Sequence, residues 1–86
     1  MMSTPEYHVT DPLSQVFADG LGLDPAEITE QTSPDNTPQW DSLAAMSLVS
    51  LIEDTFQVRL TTRDIMRMRT VALAREVLKA KGIRDL

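Results

Sequence analysis

The sequence predicts an all-α fold, a small bundle of three longer helices plus one short helix, and three observations carry that expectation. With 86 residues the chain is one small domain, near the size at which a single core only just suffices. Apolar residues recur at helical spacing in three stretches, residues 13–21, 45–56 and 71–78. Each stretch is preceded by an Asp, Ser or Thr that can cap a helix, and the first and last are followed by a glycine that can stop one.

Residues 1–8 are polar, mixed and without periodicity, which reads as a flexible N-terminal tail ahead of a domain spanning 9–84, with 85–86 as a C-terminal tail. The first helix is expected to begin at Thr10 or Asp11, with Pro12 at its first position, Leu13, Val16 and Phe17 on its buried face, and Gly22 as its stop. Gly20 is a weak point within it. Asp24-Pro25-Ala26-Glu27 has the cap, proline and acid of a further short helical turn, after which Ile28 points inward. Residues 29–40 are rich in Thr, Ser, Asn, Asp and Pro and read as a long ordered loop. A loop of that length in a compact domain is usually functional or disordered.

The second helix follows Trp40, with Asp41 or Ser42 as its N-cap. At about 100° per residue, Ala45, Leu48, Val49, Ile52 and Phe56 fall in one arc, the expected buried stripe. Leu43 lies opposite that arc and Met46 at or beyond its edge, so both flank Ser42 on the side left in water. They are either ordinary exposed apolar residues or a small docking patch. Glu53 and Asp54 are expected on the outward side of the far end, where the helix dipole disfavours acids, so solvation or partner docking keeps them there. A hydroxyl at position 42 stands near the positive end of the helix, where an anionic phosphodiester is favoured, although Ser is also among the commonest structural caps.

Gln57-Val58-Arg59-Leu60 reads as an extended connector whose Val58 and Leu60 plug the core. Thr61 or Thr62 then caps a short third helix through about Met66, with Ile65 and Met68 on the inner side. Thr70 caps the last helix, in which Val71, Ala74, Val77 and Leu78 form the inward stripe with Leu73 to one side. Lys79 and Lys81 suit its C-terminal end, and Gly82 terminates it.

The net charge of −5 hides a polarity: residues 1–58 carry −10 with no Lys or Arg, and residues 59–86 carry +5. Either the two parts attract one another in the folded domain, or the acidic part steers a basic partner enzyme. Arg63, Arg67 and Arg69 are expected to match the charges of Glu53 and Asp54, or else to meet a phosphate or an acidic cargo. Nucleic acid is a poor partner for the acidic part, and the basic part is too short and too poor in aromatics for a binding face. There is no cysteine, hence neither a disulfide nor a thiolate ligand. The apolar runs are too short to span a bilayer and the N-terminus has no signal pattern, so a cytoplasmic monomer without membrane insertion is expected. His8, the only histidine, has no second ligand or nucleophile at useful spacing and reads as an exposed bystander. With no Gly-rich phosphate loop, no Gly-x-Ser-x-Gly and no metal-ligand cluster, the chain is not expected to be an enzyme or to hold a metal.

The triplet Asp41-Ser42-Leu43, the helix that follows it to Glu53-Asp54-Thr55-Phe56, and the length of chain on each side together resemble an acyl carrier protein, over about residues 13–82. The resemblance implies that Ser42 carries a 4′-phosphopantetheine arm, donated by coenzyme A through a phosphopantetheinyl transferase, with Asp41 and Leu43 as recognition residues beside it. The thiol of that arm would hold an acyl, aminoacyl or polyketide-type cargo as a thioester, loaded by a ligase or transferase and presented to downstream enzymes. Leu43, Met46, Glu53 and Asp54 would be the docking residues. Fatty-acid carriers usually bear several acids near the serine, whereas Ala44, Ala45, Ser47 and Ser50 occupy the early turns here and the third helix is basic. That departure favours a free-standing carrier of a specialised, secondary-metabolic pathway. Peptidyl carriers usually have Gly-Gly before the triplet; Trp40 stands there instead and is expected to be a lid packed on the core. The alternative is an unmodified helical interaction module on the same scaffold, its Ser42 only a cap and its Leu43 and Met46 holding a partner.

Overall fold

The structure, a computed structural model, describes residues 11–86; the expected tail at 1–8, His8 and the alternative helix start at Thr10 lie outside the described residues. Four helices follow one another, α1 Pro12–Leu21, α2 Ser42–Phe56, α3 Thr62–Arg67 and α4 Val71–Ala80, with a 3-10 turn at Pro25–Glu27. The described residues contain no strand and no helix long and apolar enough to cross a membrane.

Local chemistry accounts for the helix ends. The Asp11 carboxylate accepts the Ser14 N–H at 2.8 Å, and Pro12 occupies a position whose missing N–H leaves no helical bond unmade. Gly22 closes α1 in the left-handed region at φ 69°, its N–H donating to the Ala18 carbonyl. Asp24 and Glu27 form a reciprocal capping box around the 3-10 turn, as Thr61 and Asp64 do at α3.

The stripes meet in one core. Leu13, Val16, Phe17 and Leu21 of α1 pack with Leu48 and Ile52 of α2 and with Val71, Ala74, Val77 and Leu78 of α4. Trp40, Leu60 and Met68 close it from the connecting segments. Gly20 has a definite role in this packing: a Cβ there would lie 2.6 Å from Leu48 Cδ2 and 3.3 Å from Leu51 Cδ1. The helix-propensity cost of glycine, about 1 kcal/mol, is accepted where α2 presses directly on the α1 backbone.

Met68 is buried, and Ile65 turns to the inner side beside it, lining a small pocket with Phe17, Leu48 and Ile52, while remaining 39% exposed. Two expectations are corrected. Leu86 is no free tail: its side chain is buried and its carbonyl accepts from Arg75 Nη1 at 3.0 Å. The charge match of Arg63, Arg67 and Arg69 to Glu53 and Asp54 does not form; all three arginines are exposed and make no ion pair among the described residues. The acidic and basic parts of the chain meet instead through Arg75, which reaches Asp11 at 3.1 Å and Glu30 at 2.8 Å. The Glu30 hydrogen bond is the main reason the guanidinium's pKa rises above its ordinary value.

Candidate functional site

The segment between the 3-10 turn and α2 is ordered by its own polar side chains. The Asn36 side chain accepts the Ser33 N–H at 3.0 Å and the Thr37 hydroxyl at 2.7 Å, and it donates to the Gln31 carbonyl at 2.8 Å. The Thr32 hydroxyl accepts the Thr29 N–H at 2.9 Å. Thr32, Ser33 and Thr37 are thereby buried, and no buried side-chain polar atom among the described residues lacks a partner. The loop is also tied to α4: the Val71 N–H donates to the Thr32 carbonyl at 3.2 Å and the Ala72 N–H to the Glu30 carbonyl at 3.1 Å. At its end Trp40 is 8% exposed, its ring tilted against Phe17 with centroids 5.1 Å apart, so it is packed on the core as expected.

This platform delivers the chain into α2 in a fixed register. Asp41 is extended, at φ −99° and ψ −171°, and its carboxylate accepts the Ala44 N–H at 2.9 Å. Its carbonyl accepts the Ala45 N–H at 2.9 Å. Of the two candidate caps the structure therefore selects Asp41, and Ser42 becomes the first residue of the helix proper. The consequence is chemical. The exposed Ser42 hydroxyl makes no hydrogen bond with the described residues, and the N–H groups of Ser42 and Leu43 also have no partner there. A free primary hydroxyl thus stands beside two unpaired N–H groups at the positive end of a helix, which fits the ester oxygen and anionic charge of a phosphodiester. Among the described residues no side chain that could take its proton is hydrogen-bonded to the hydroxyl.

The surroundings divide at Trp40 and Ala45. On the outer side these two residues join Pro34, Asp41 and Ser42 in lining an open groove of about 290 Å3. On the inner side they border a pocket of about 50 Å3 that continues to Phe17, Leu48, Ile52 and Met68. Such a pocket has room for only a water or two.

The other residues singled out from the sequence fall into two groups. Leu43 and Met46 are 76% and 70% exposed, on the water side of α2 as expected, and Asp54 is exposed as well. Glu53 differs from the expectation: it is half-buried and its carboxylate accepts the Leu60 N–H at 2.9 Å, fixing the connector to the helix. An acid near a helix C-terminus is thereby retained for a backbone donor that the connector would otherwise leave unpaired. Sequence reasoning passed over Asn36 and Arg75. Asn36 had a local signal, an Asx residue in a Ser/Thr/Pro-rich turn; Arg75 had none, since its partner Glu30 lies 45 residues away.

Residues 11–78 match the family model described as phosphopantetheine attachment site. The matched span runs from the cap of α1 to the last buried leucine of α4 and includes the whole of α2.

Proposed function

Because the chain belongs to the phosphopantetheine-attachment family, we propose that Ser42 is its attachment residue and that it presents an acyl or aminoacyl group to successive enzymes. Members of the family are carriers rather than enzymes and bear a covalently attached 4′-phosphopantetheine. The observation that carries the assignment of Ser42 is the division of labour at the start of α2: Asp41 does the capping, which leaves the neighbouring hydroxyl unbonded and exposed.

When bound, the prosthetic group supplies a thiol that holds a carboxylic acid as a thioester. The chain's own residues do the rest. Ser42 would offer the oxygen that takes the phosphopantetheinyl group from coenzyme A on a phosphopantetheinyl transferase, with the hydroxyl proton lost and adenosine 3′,5′-bisphosphate leaving as the pyrophosphate bond breaks. The N–H groups of Ser42 and Leu43 would answer the negative charge of the phosphodiester. Asp41 fixes the first turn, and Trp40, seated on Phe17, keeps that turn from shifting. Leu43 and Met46 meet the transferase, the loading ligase or transferase, and the pathway enzymes, with Asp54 farther along the same helix. The absence of acids from the early turns of α2, where Ala44, Ala45, Ser47 and Ser50 stand, supports a specialised pathway over bulk fatty-acid synthesis. The alternative is an unmodified interaction module; it gives the exposed Ser42 hydroxyl no use, because Asp41 already caps the helix.

The test is an intact mass after incubation with coenzyme A and a broad-specificity phosphopantetheinyl transferase. One phosphopantetheine increment, absent from Ser42→Ala, is the expected result. No increment on the folded wild-type chain with several transferases overturns the proposal.

A further inference from the structure

Residues 29–39 contribute no side chain to the hydrophobic core, so polar contacts set the position of this loop. Among the described residues, its hydrogen bonds to the helices all reach α4. The Val71 N–H donates to the Thr32 carbonyl at 3.2 Å and the Ala72 N–H to the Glu30 carbonyl at 3.1 Å. The third attachment, made by side chains, is a fork: Arg75 Nε donates to Glu30 Oε1 at 3.1 Å and Nη2 to Oε2 at 2.8 Å. Such a pair fixes the carboxylate in orientation as well as in distance. The guanidinium is itself held from two further sides, by Asp11 at 3.1 Å and by the Leu86 carbonyl at 3.0 Å. Arg75 is therefore the fixed member of the pair, and Glu30 the member it places.

These attachments grip the front of the loop, whereas Ser42 lies beyond its end, and a run of hydrogen bonds joins the two. The carbonyl next to Glu30, that of Gln31, accepts from Asn36 Nδ2 at 2.8 Å. Asn36 Oδ1 accepts the Thr37 hydroxyl at 2.7 Å, and the Thr37 carbonyl accepts the Trp40 N–H at 2.9 Å. Trp40, seated on Phe17, leads directly into Asp41 and Ser42. The register set by this run matters, because Asp and Ser are almost equally good caps. A slip of one residue would hand the cap from Asp41 to Ser42 and bond the hydroxyl that now stands free.

We propose that Arg75 is a positioning residue for the Ser42 hydroxyl. Acting through Glu30 and the contacts of Asn36, it keeps the loop in the register in which Asp41 caps α2 and Ser42 does not. A transferase binds the chain in either register but modifies only the one with a free hydroxyl. Loss of the fork therefore lowers the share of competent chains, which reduces the maximal rate without weakening association. The purpose of this positioning rests on the carrier reading, but the register itself does not need the arm.

The experiment compares the full chain as wild type, E30A, R75K and D11N. E30A and D11N each take one carboxylate from the same guanidinium, but only Glu30 belongs to the loop. D11N keeps a side-chain oxygen to cap α1. In amide NMR spectra of the unmodified proteins, the Ser42 and Trp40 signals should move in E30A and move less in R75K, which keeps the charge but not the fork. In D11N they should stay in place. With coenzyme A and a transferase, kcat for E30A should fall about fivefold or more at unchanged KM, and D11N should react as wild type. A purely stabilising role for Arg75 would move D11N and E30A alike. Equal effects of those two variants, amide shifts in E30A confined to residues 29–32, an unchanged kcat, or a raised KM in place of a lowered kcat would each overturn the proposal. If the wild-type chain takes no mass increment, the carrier reading fails, and the Ser42 and Trp40 shifts alone decide the positioning.

Discussion

At the start of α4, Thr70 caps the Leu73 N–H at 3.0 Å, and the two N–H groups ahead of it, on Val71 and Ala72, donate to the carbonyls of Thr32 and Glu30. At the start of α2, Asp41 caps the Ala44 N–H, and the two equivalent N–H groups, on Ser42 and Leu43, have no partner among the described residues. The difference follows from burial. Val71 is fully buried beneath the loop, where an unpaired donor would be costly, so the loop's carbonyls complete that helix end. Ser42 and Leu43 are exposed, where water satisfies a donor at little cost. The fold pairs the first three N–H groups of one helix and leaves two N–H groups and a hydroxyl without a partner at the start of the other. A helix end that the fold leaves unfinished is where a ligand can be added without disturbing the structure.

The largest effect expected from this contrast is all-or-none. Ser42→Ala should eliminate the phosphopantetheine mass increment while changing unfolding free energy by no more than about 0.5 kcal/mol, as for an exposed substitution without partners. A loss of 1 kcal/mol or more in a denaturant titration would mean that Ser42 belongs to the structural framework after all. Next comes Trp40→Ala, which removes the packed ring between the loop and α2 and should cost about 3 kcal/mol; a nearly unchanged midpoint in urea would show that the loop does not hold the α2 start.

Asp41→Ala and Thr70→Ala should then cost about 1 kcal/mol each. Similar values in calorimetry would locate the contrast in the flanking N–H groups alone; a much smaller value for Asp41 would shift it to the caps themselves. The smallest effect belongs to α3, a third capped start. There the Lys81 ammonium, helped by the Thr61 N–H, lowers the Asp64 carboxyl from 3.8 to about 2. A folded-state pKa below the unfolded one stabilises the fold above the unfolded value, and that stabilisation is lost as pH falls through about 2. Lys81→Met should therefore lower the melting temperature at pH 5 and by progressively less on approaching pH 2. A gap that stays constant with pH would exclude the pair as its cause.

Much of the fold was legible because its determinants are local. The 13-16-17 and 71-74-77-78 stripes, with Asp11, Thr70 and Gly22 at their ends, each lie within a few residues of the positions they specify. The site was legible to within one residue: Asp and Ser are almost equally good caps, and only the register set by the loop decides that Asp41 takes the role. Charge pairing was the least legible. Nothing local tells Glu53 to turn back to the Leu60 N–H, or Arg75 to span from α4 to Glu30.

The position of Trp40 has an optical consequence. It is the only tryptophan in the chain, and its indole forms part of the wall between the outer groove at Ser42 and the inner pocket. Indole emission moves to longer wavelength as water reaches the ring and to shorter wavelength as water is expelled. The chain therefore contains an unlabelled fluorophore in the wall of the groove beside Ser42, and a group that covers the ring there and expels water shifts its emission, so occupation of the groove can be followed in a cuvette.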